Sequence, residues 1–402
     1  MARHDHRPGS GTAAAPIPVL PDYAGGCIAN VAPAILVATS GPAELAPVPD
    51  WLPDGVAGAR QVVLLVLDGL GWNQLLERSD LAPTLTSARG IDRPITSVAP
   101  STTATALTSI GTGRPPCGHG ILGYRMATPD GEVFNVLRWQ VGACSPRDAR
   151  RELPARTVQP LPTFAGFDGP VPVVTRDGFA QTGFTVAQIG TSPVFGYKVS
   201  SSIPPQVAEL IATGCRFVHV YYDGIDKVAH DRGFGPWYDA EVHAIDQLVA
   251  AIAGTLPDDG VLVVTADHGQ VEVGAQVLLP PPAVLNATRL VSGEGRFRWF
   301  HARDGAADDL LGAALDAFGE VAWVHTRTEI EEAGWFGGPL SPEVASRLGD
   351  VAVVPHQPVA VLDPADTGET SLAARHGSLT AAEMQVPLVA VGTGARGGNI
   401  SP

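Results

Sequence analysis

The chain has 402 residues, of which 45% are hydrophobic and 17% are charged, and its formal net charge at pH 7 is −15. This composition supports one large α/β domain with an insertion, or two domains, and excludes global disorder. The acidic balance excludes a protein whose main task is to hold the nucleic-acid backbone, because that task requires a basic face. Small phosphorylated substrates stay compatible with it, because bound cations can reverse the local field.

The N-terminal segment has basic residues but lacks the apolar stretch that follows them in a secretory signal. No uncharged apolar run reaches the roughly 18 residues of a membrane span. We therefore expect a cytoplasmic protein, and no feature indicates its oligomeric state. The absence of Cys-x-x-Cys spacing predicts isolated reduced thiols rather than a disulfide framework or a zinc ribbon. The cysteines are Cys27, Cys117, Cys144 and Cys215.

The first elements follow a segment without periodicity. Residues 1–25 are rich in Pro, Gly and Ala, and we interpret them as a loose leader. A helix is predicted over 28–47, and the apolar run 62–67 predicts the first strand. That strand ends at Asp68, where two glycines within the next three residues allow a tight turn into a helix. The third glycine of a dinucleotide-binding fingerprint is missing, which argues against that fold.

Hydroxyl residues begin a predicted helix over 101–112, where Ser101, Thr102 and Thr103 are all natural N-cap residues and Gly113 ends the helix. Strands and helices alternate beyond it, with the apolar periodicity that separates the two types. The predicted strands lie at 170–174, 184–189, 216–222 and 261–265, and the predicted helices at 205–213 and 237–254.

This alternation predicts an α/β fold with a doubly wound, mostly parallel sheet. Residues 280–345 break the alternation, starting at a run of three prolines, and we interpret them as a small α+β insertion that caps the crevice. The α/β core then comprises 26–279 and 346–402. Its last strands are predicted at 351–354 and 386–391.

Asp68, Asp226 and the pair Asp267-His268 each lie at or just past the end of a predicted strand. Because the carboxyl ends of parallel strands meet in one crevice, we expect these side chains to converge. Carboxylates and imidazoles are typical ligands of divalent metal ions. The strand ends therefore predict a metal site.

Asp226 and His230 are four residues apart, which places them on one face of a helix, where they can bind one ion together. Asp223 competes with Asp226, and the spacing to His230 favours Asp226. Thr103 lies at a helix N-terminus, whose free N–H groups attract phosphate, and its hydroxyl needs a metal to become a nucleophile. His376, which precedes a glycine, gains its weight by completing the set.

The chain contains five motifs in the following order: Asp68-Gly69, the stretch from Thr103 to Gly113 with His119-Gly120-Ile121 after it, Asp226-Lys227-Val228-Ala229-His230, Thr265-Ala266-Asp267-His268-Gly269, and His376. Together they resemble the alkaline phosphatase superfamily and, within it, the type I phosphodiesterase/nucleotide pyrophosphatase branch. The distance from the family's nucleophile to the glycine that ends its helix favours Thr103 over Thr102. Ala229 replaces a glycine of the family's pattern.

The resemblance implies an alkaline-phosphatase-like fold and a two-metal hydrolase of phosphate esters. It implies a phosphodiesterase or nucleotide pyrophosphatase that acts through a phospho-threonine intermediate, with two divalent ions, usually zinc. The implied partner is a small phosphorylated substrate such as a nucleotide. From the net charge and the lack of a long apolar run we expect neither stable nucleic-acid binding nor a membrane partner. The implied catalytic residue is Thr103, and the implied ligand sets are Asp68, Asp267 and His268 for one ion and Asp226, His230 and His376 for the other.

The chain departs from the family where an Asn that holds the phosphoryl oxygens is expected after His-Gly-Ile. Tyr124, Arg125 and Asn135 are candidate substitutes, and the sequence does not choose among them. In the insertion, Arg296 and Arg298 are candidate anion contacts. A phosphonate hydrolase or a metal-dependent phosphomutase of the same superfamily therefore stays an alternative. An alternative of another class is a metal-binding protein without catalysis.

Overall fold

A computed structural model describes residues 15–40, 48–142, 145–365 and 371–392. Strands and helices alternate through the first two thirds of the chain. The strands are β1 (Gln61–Leu67), β2 (Ile95–Thr96), β3 (Arg125–Ala127), β4 (Val133–Asn135), β5 (Gln140–Val141), β6 (Arg147–Asp148), β7 (Val173–Arg176), β8 (Val194–Tyr197), β9 (Phe217–Tyr222), β10 (Gly260–Thr265), β11 (Val271–Glu272), β12 (Val277–Leu278), β13 (Thr288–Glu294), β14 (Phe297–Ala302), β15 (Ala322–Thr326), β16 (Val351–Pro355), β17 (Ala360–Val361), β18 (Ala374–Arg375), β19 (Gln385–Val386) and β20 (Leu388–Gly392).

The helices lie between and around these strands, and three short 3₁₀ turns accompany them at Ser79–Leu81, Asp177–Phe179 and Ser200–Ser202. The α-helices are α1 (Ile28–Thr39), α2 (Trp72–Leu76), α3 (Pro83–Thr86), α4 (Thr103–Thr112), α5 (Pro116–His119), α6 (Ala155–Val158), α7 (Gly183–Ile189), α8 (Ile203–Ala212), α9 (Gly224–Arg232), α10 (Pro236–Ala253), α11 (Pro282–Ala287), α12 (Ala307–Phe318), α13 (Arg327–Glu332), α14 (Pro342–Ala345) and α15 (Ala381–Met384).

The central sheet has the order β20-β10-β1-β9-β7-β8. Its strands pair in parallel except β20, which pairs antiparallel with β10 at one edge. Helices cover both faces, which explains why β1 and β10 are buried along almost their whole length. The predicted α/β fold with a mostly parallel sheet is confirmed. The register aligns the carboxyl ends of β1, β9 and β10 at one edge.

A second, four-stranded antiparallel sheet has the order β13-β14-β16-β15 and packs with α11 and α12 around a small core of its own. The strand predicted at 351–354 forms β16, which pairs with β14 and β15. Its residues Val351 and Val353 join Val324 in the small core, whereas Ala352 and Val354 pack in the main core. The division of the chain into core and insertion stays a prediction.

The run 184–189, predicted as a strand, forms the helix α7. Thr182 caps the helix, because its hydroxyl accepts a hydrogen bond from the Thr185 N–H at 3.1 Å. Phe184, Ala187 and Gln188 are buried at helical spacing against α4, and the tertiary contacts outweigh the β-favouring composition. The strand predicted nearby lies at β7 rather than at 170–174.

At the N-terminal side, residues 1–14 of the predicted leader and residues 41–47 of the first predicted helix lie outside the described ranges. Residues after position 15 contact the body of the protein. The Val19 N–H donates to the Leu379 carbonyl at 2.9 Å, and the indole N–H of Trp323 donates to the Pro16 carbonyl at 2.7 Å. Among the described residues, the helices are too short or too polar to cross a membrane.

Burial lowers the pKa of His219, inside the central strand β9, from 6.5 to about 4. Because folding lowers this pKa, the unfolded chain binds the proton more readily than the folded protein. The protein therefore keeps its full stability above pH 6.5 and loses part of it as the pH falls towards 4. His219→Phe removes that proton uptake. The free energy of unfolding of this variant, measured by urea denaturation, should fall less steeply between pH 6.5 and 4.5 than that of the wild type. The difference between the two slopes should be at most about 1.4 kcal/mol per pH unit. His243→Phe, at an exposed position, serves as the control, and parallel pH dependences of His219→Phe and the wild type would contradict the prediction.

Candidate active site

Asp68, at the end of β1, and Asp267 and His268, at the end of β10, form a buried cluster. Nε2 of His268 lies 3.4 Å from Oδ1 of Asp68 and 3.4 Å from Oδ2 of Asp267. The potential ligand atoms of the three residues lie within 4.8 Å of one another. The register of the parallel strands therefore brings together the three residues that the sequence analysis placed at one ion.

The hydrogen bonds around this cluster leave one oxygen of each carboxylate for a ligand. The Tyr221 hydroxyl donates to Oδ2 of Asp68, and the N–H groups of Gly69 and His268 donate to Oδ1 of Asp267 at 3.1 and 3.0 Å. The other oxygens, Oδ1 of Asp68 and Oδ2 of Asp267, are buried and have no hydrogen-bond partner among the described residues. Two such oxygens facing one imidazole nitrogen fit a divalent cation.

The second cluster joins α9 to the segment after β18. Nε2 of His230 and Nε2 of His376 lie 3.2 and 3.7 Å from Oδ1 of Asp226. Their Nδ1 atoms lie 2.7 Å from the Ala374 carbonyl and 3.1 Å from the Ser101 carbonyl. A carbonyl at Nδ1 keeps the proton there, so that the Nε2 lone pair faces the cluster. The ligand atoms of this cluster also lie within 4.8 Å of one another.

The structure separates Asp226 from its competitor Asp223. The Asp223 carboxylate accepts a hydrogen bond from Nη2 of Arg176 at 2.7 Å and is paired with the Lys227 ammonium. Asp226 instead accepts a hydrogen bond from Nε2 of Gln270 at 3.1 Å and faces His230. Asp223 is thus engaged by two nearby cations, and Asp226 is left for the cluster.

The two clusters adjoin each other, because the rings of His268 and His376 stack with their centroids 3.7 Å apart. Burial, followed by repulsion from Asp267 and Asp226, raises the pKa of Asp68 well above its usual range. Burial also raises the pKa of Asp226 and Asp267 and lowers the pKa of both stacked histidines. The site thus concentrates negative charge beside neutral imidazoles, and a divalent cation offsets that charge.

Thr103 is the first residue of α4, and its hydroxyl lies 3.2 Å from Nε2 of His268. Thr102 precedes the helix, and its hydroxyl donates to the buried Glu294 carboxylate at 2.6 Å. Gly113 ends the helix with φ 65°, as predicted. The two threonines therefore have different surroundings, and Thr103 is the one that faces the candidate metal ligands.

Two cavities meet at Thr103. One, of about 360 Å³, is lined mainly by apolar side chains, and the other, of about 470 Å³, is lined by more polar groups. The apolar cavity includes Leu107, Leu137, Val173, Phe179, Phe184 and Ile189. The polar cavity includes Tyr124, Arg138, His230, Glu294, Arg375 and His376.

The candidate substrate contacts have different positions. Tyr124 lines the polar cavity, and Asn135 donates from Nδ2 to the Tyr124 hydroxyl at 2.7 Å. Arg125 is buried, lies 2.8 Å from a carboxylate oxygen of Asp363, and lines neither cavity. Because Arg125 is buried and paired with Asp363, it does not fit the role of a substrate contact.

Arg296 and Arg298, the other candidate anion contacts, are also buried in the protein. Arg296 forms an ion pair with Glu383 at 2.6 Å. Nε of Arg298 donates to the Val361 carbonyl at 2.9 Å. Both residues lie on or beside β14, where they join the small sheet to neighbouring segments. These buried positions do not fit a contact with the substrate.

Tyr221, Gln270 and Glu294 also belong to the site and were not predicted from the sequence. Tyr221 and Gln270 hold ligand carboxylates by hydrogen bonds, and Glu294 holds Thr102. Tyr221 lies opposite Val66 in the register of β9 with β1, which places it near the end of β1. That register was the only signal for it. Gln270 and Glu294 depend on contacts between segments far apart in the chain.

The family model described as type I phosphodiesterase / nucleotide pyrophosphatase matches residues 62–378. A sequence comparison with curated proteins found no match. Among solved structures, murine ectonucleotide pyrophosphatase / phosphodiesterase 5 is similar, with 16% identity and a TM-score of 0.59 over 83% of this chain and 88% of that chain.

Two further structures are similar in fold. An inactive form of the murine protein, in which a threonine is replaced by alanine, was solved in complex with AMP, and it has 16% identity and a TM-score of 0.58 over 83% of this chain and 88% of that chain. Phosphonoacetate hydrolase from Sinorhizobium meliloti 1021, in complex with phosphonoformate, has 18% identity and a TM-score of 0.56 over 85% of this chain and 92% of that chain.

Asp267→Asn should reduce the bound metal, because it removes one of the two carboxylates that face His268. We expect a loss of about one ion per chain, measured by elemental analysis after gel filtration. Asp246→Asn is the matched control. Asp246 is equally buried and accepts the Leu85 N–H at 2.9 Å away from the site, so this variant should lose stability and keep its metal. Equal metal contents in both variants would rule out the proposed ligand set.

Proposed function

Because the chain belongs to the type I phosphodiesterase/nucleotide pyrophosphatase family of phosphoric ester hydrolases, we propose that it cleaves phosphodiesters or pyrophosphates with Thr103 as the nucleophile. The observation that carries the proposal is the position of the Thr103 hydroxyl, which lies 3.2 Å from His268, at the first residue of α4 and beside both ligand clusters. The inactive threonine-to-alanine form of the murine neighbour supports the same role for a threonine.

The first cluster, Asp68, Asp267 and His268, would hold the ion next to the nucleophile, and Asp226, His230 and His376 would hold the second. Two bound divalent ions supply Lewis acidity, which lowers the pKa of a nearby hydroxyl and offsets the charge of a phosphoryl group. The mixed carboxylate and imidazole set favours zinc. Reconstitution of the chelated protein with single metals, followed by assay, would test this choice.

The protein's own groups define the remaining steps. Thr103 attacks the phosphorus in line and forms a phospho-threonine, and the alcohol or phosphate on the far side leaves. The first N–H groups of α4 have no partner within the helix and would favour the negative charge of phosphoryl oxygens bound at its start. Water then attacks the same phosphorus, releases the product and restores the hydroxyl. The phospho-threonine is expected to accumulate when the second step is slowed.

The apolar cavity defines the class of substituent. Its walls are formed by α4, α7 and β7, and it adjoins both Thr103 and Asp68. Such a surface stabilises an aromatic or aliphatic group on one side of the phosphorus and favours diesters over inorganic or small monoesters. The AMP bound to the murine neighbour supports a nucleotide among the substrates.

Thr103→Ala should lower the rate on bis(p-nitrophenyl) phosphate by about 10³-fold or more while leaving the metal content unchanged, because only the nucleophile is removed. Thr102→Ala is the neighbouring control, and its hydroxyl is directed to Glu294 instead of the clusters. Stopped assays and elemental analysis of the same samples measure both quantities. An active Thr103→Ala beside an inactive Thr102→Ala would assign the nucleophile to position 102.

The rates on a phosphomonoester, a phosphodiester and a phosphonate with the same leaving group should be highest for the diester, because the apolar cavity binds its second substituent. A preference for the phosphonate would favour a phosphonate hydrolase, and transfer of the phosphoryl group within one molecule would favour a phosphomutase. If the metal-loaded protein turned over none of them, a metal-binding protein without catalysis would be the better interpretation.

A further inference from the structure

The turn after β4 lies between the two cavities. Leu137 lines both of them, whereas Arg138 lines only the polar one. Trp139, the next residue, has φ 53°, a left-handed conformation that residues other than glycine rarely adopt. Its side chain is buried, and its indole N–H donates to the Leu153 carbonyl at 2.8 Å. Packing therefore holds this turn in a strained shape, which is characteristic of functional positions.

Asn135 fixes the same turn from the other side. Its Oδ1 accepts the Arg138 N–H at 2.9 Å, and its Nδ2 donates to the Tyr124 hydroxyl at 2.7 Å. One amide thus ties together two residues that line the polar cavity. The backbone of Arg138 is preorganised, so that binding a ligand costs less conformational entropy than binding by a loose loop.

The guanidinium of Arg138 has no ion-pair, hydrogen-bond or aromatic partner within the part of the chain that the structure describes. Two other cations near the site have carboxylate partners in the protein. Lys227 is paired with Asp223, and Arg125 with Asp363. Arg138 is exposed and lines the same cavity as Thr103, so in a chain with a net charge of −15 its guanidinium is available to an anion on the ligand.

We propose that Arg138 binds a second anionic group of the substrate, beyond the phosphoryl group that Thr103 attacks. This inference rests on the proposed function and narrows its substrates to compounds that carry two oxyanions, such as a pyrophosphate or a phosphonate with a carboxylate. The apolar cavity takes the organic part, and the polar cavity takes the second anion. A guanidinium suits this task, because it binds phosphate or carboxylate through two parallel hydrogen bonds.

The test compares three substrates that differ in the second anion. Bis(p-nitrophenyl) phosphate has none, a dinucleoside pyrophosphate has a second phosphate, and phosphonoacetate has a carboxylate. In Arg138→Ala, kcat/KM for a substrate with the matching anion should fall about 10- to 100-fold, mainly through KM, and the diester should change by less than about twofold. Arg138→Lys should retain part of the preference, since it keeps the charge and loses the planar fork.

Arg150→Ala is the control for net charge, because Arg150 is exposed, pairs with Asp148 and lines neither cavity. A loss on the pyrophosphate alone identifies the anion as phosphate, and a loss on phosphonoacetate alone identifies it as carboxylate. Equal losses on all substrates, or no loss on any, overturn the inference. A wild type that hydrolyses only the diester overturns it while leaving the proposed function intact, whereas a metal-loaded wild type that hydrolyses none rejects both.

Discussion

The site depends on the close approach of three aspartates at the carboxyl ends of the parallel strands of one sheet. They are Asp68, Asp226 and Asp267. Ionised carboxylates buried so close together destabilise the fold, and the neutral imidazoles beside them offset little of that charge. Tyr221, Gly69 and Gln270 support the carboxylates through hydrogen bonds, yet buried oxygens still face inward. Divalent cations held by these residues would satisfy the oxygens, and folding and metal binding would then be thermodynamically linked.

The other carboxylates near these strand ends have partners of their own in the surrounding elements. Asp223 pairs with Arg176 and Lys227 next to the second cluster, and Glu294, at the end of β13, accepts a hydrogen bond from the hydroxyl of Thr102. Thr103 is then left as the threonine that faces the clusters. The small antiparallel sheet thus shapes the chemistry of the central sheet, because its β13 supplies a carboxylate to the residue before the proposed nucleophile.

The sequence predicted best what strand ends determine. Parallel pairing alone brings Asp68, Asp267 and His268 together, and helical spacing favoured Asp226 over Asp223. It failed where packing outweighs composition, as in the β-favouring run that forms α7, and where a cation finds a buried partner, as Arg125 finds Asp363. The metal identity and the cytoplasmic location stay predictions, because the geometry of the chain determines neither of them.

The position of His376 has a consequence for the order of folding. The ligands of the second cluster come from α9 and from a segment after β18, and the ligands of the first come from β1 and β10. Contacts between such distant segments form slowly, because long loops must close first. During synthesis, the central strands emerge well before His376, and the nascent chain carries an unfinished metal site. Activity therefore appears only after the segment that carries His376 has been made and folded.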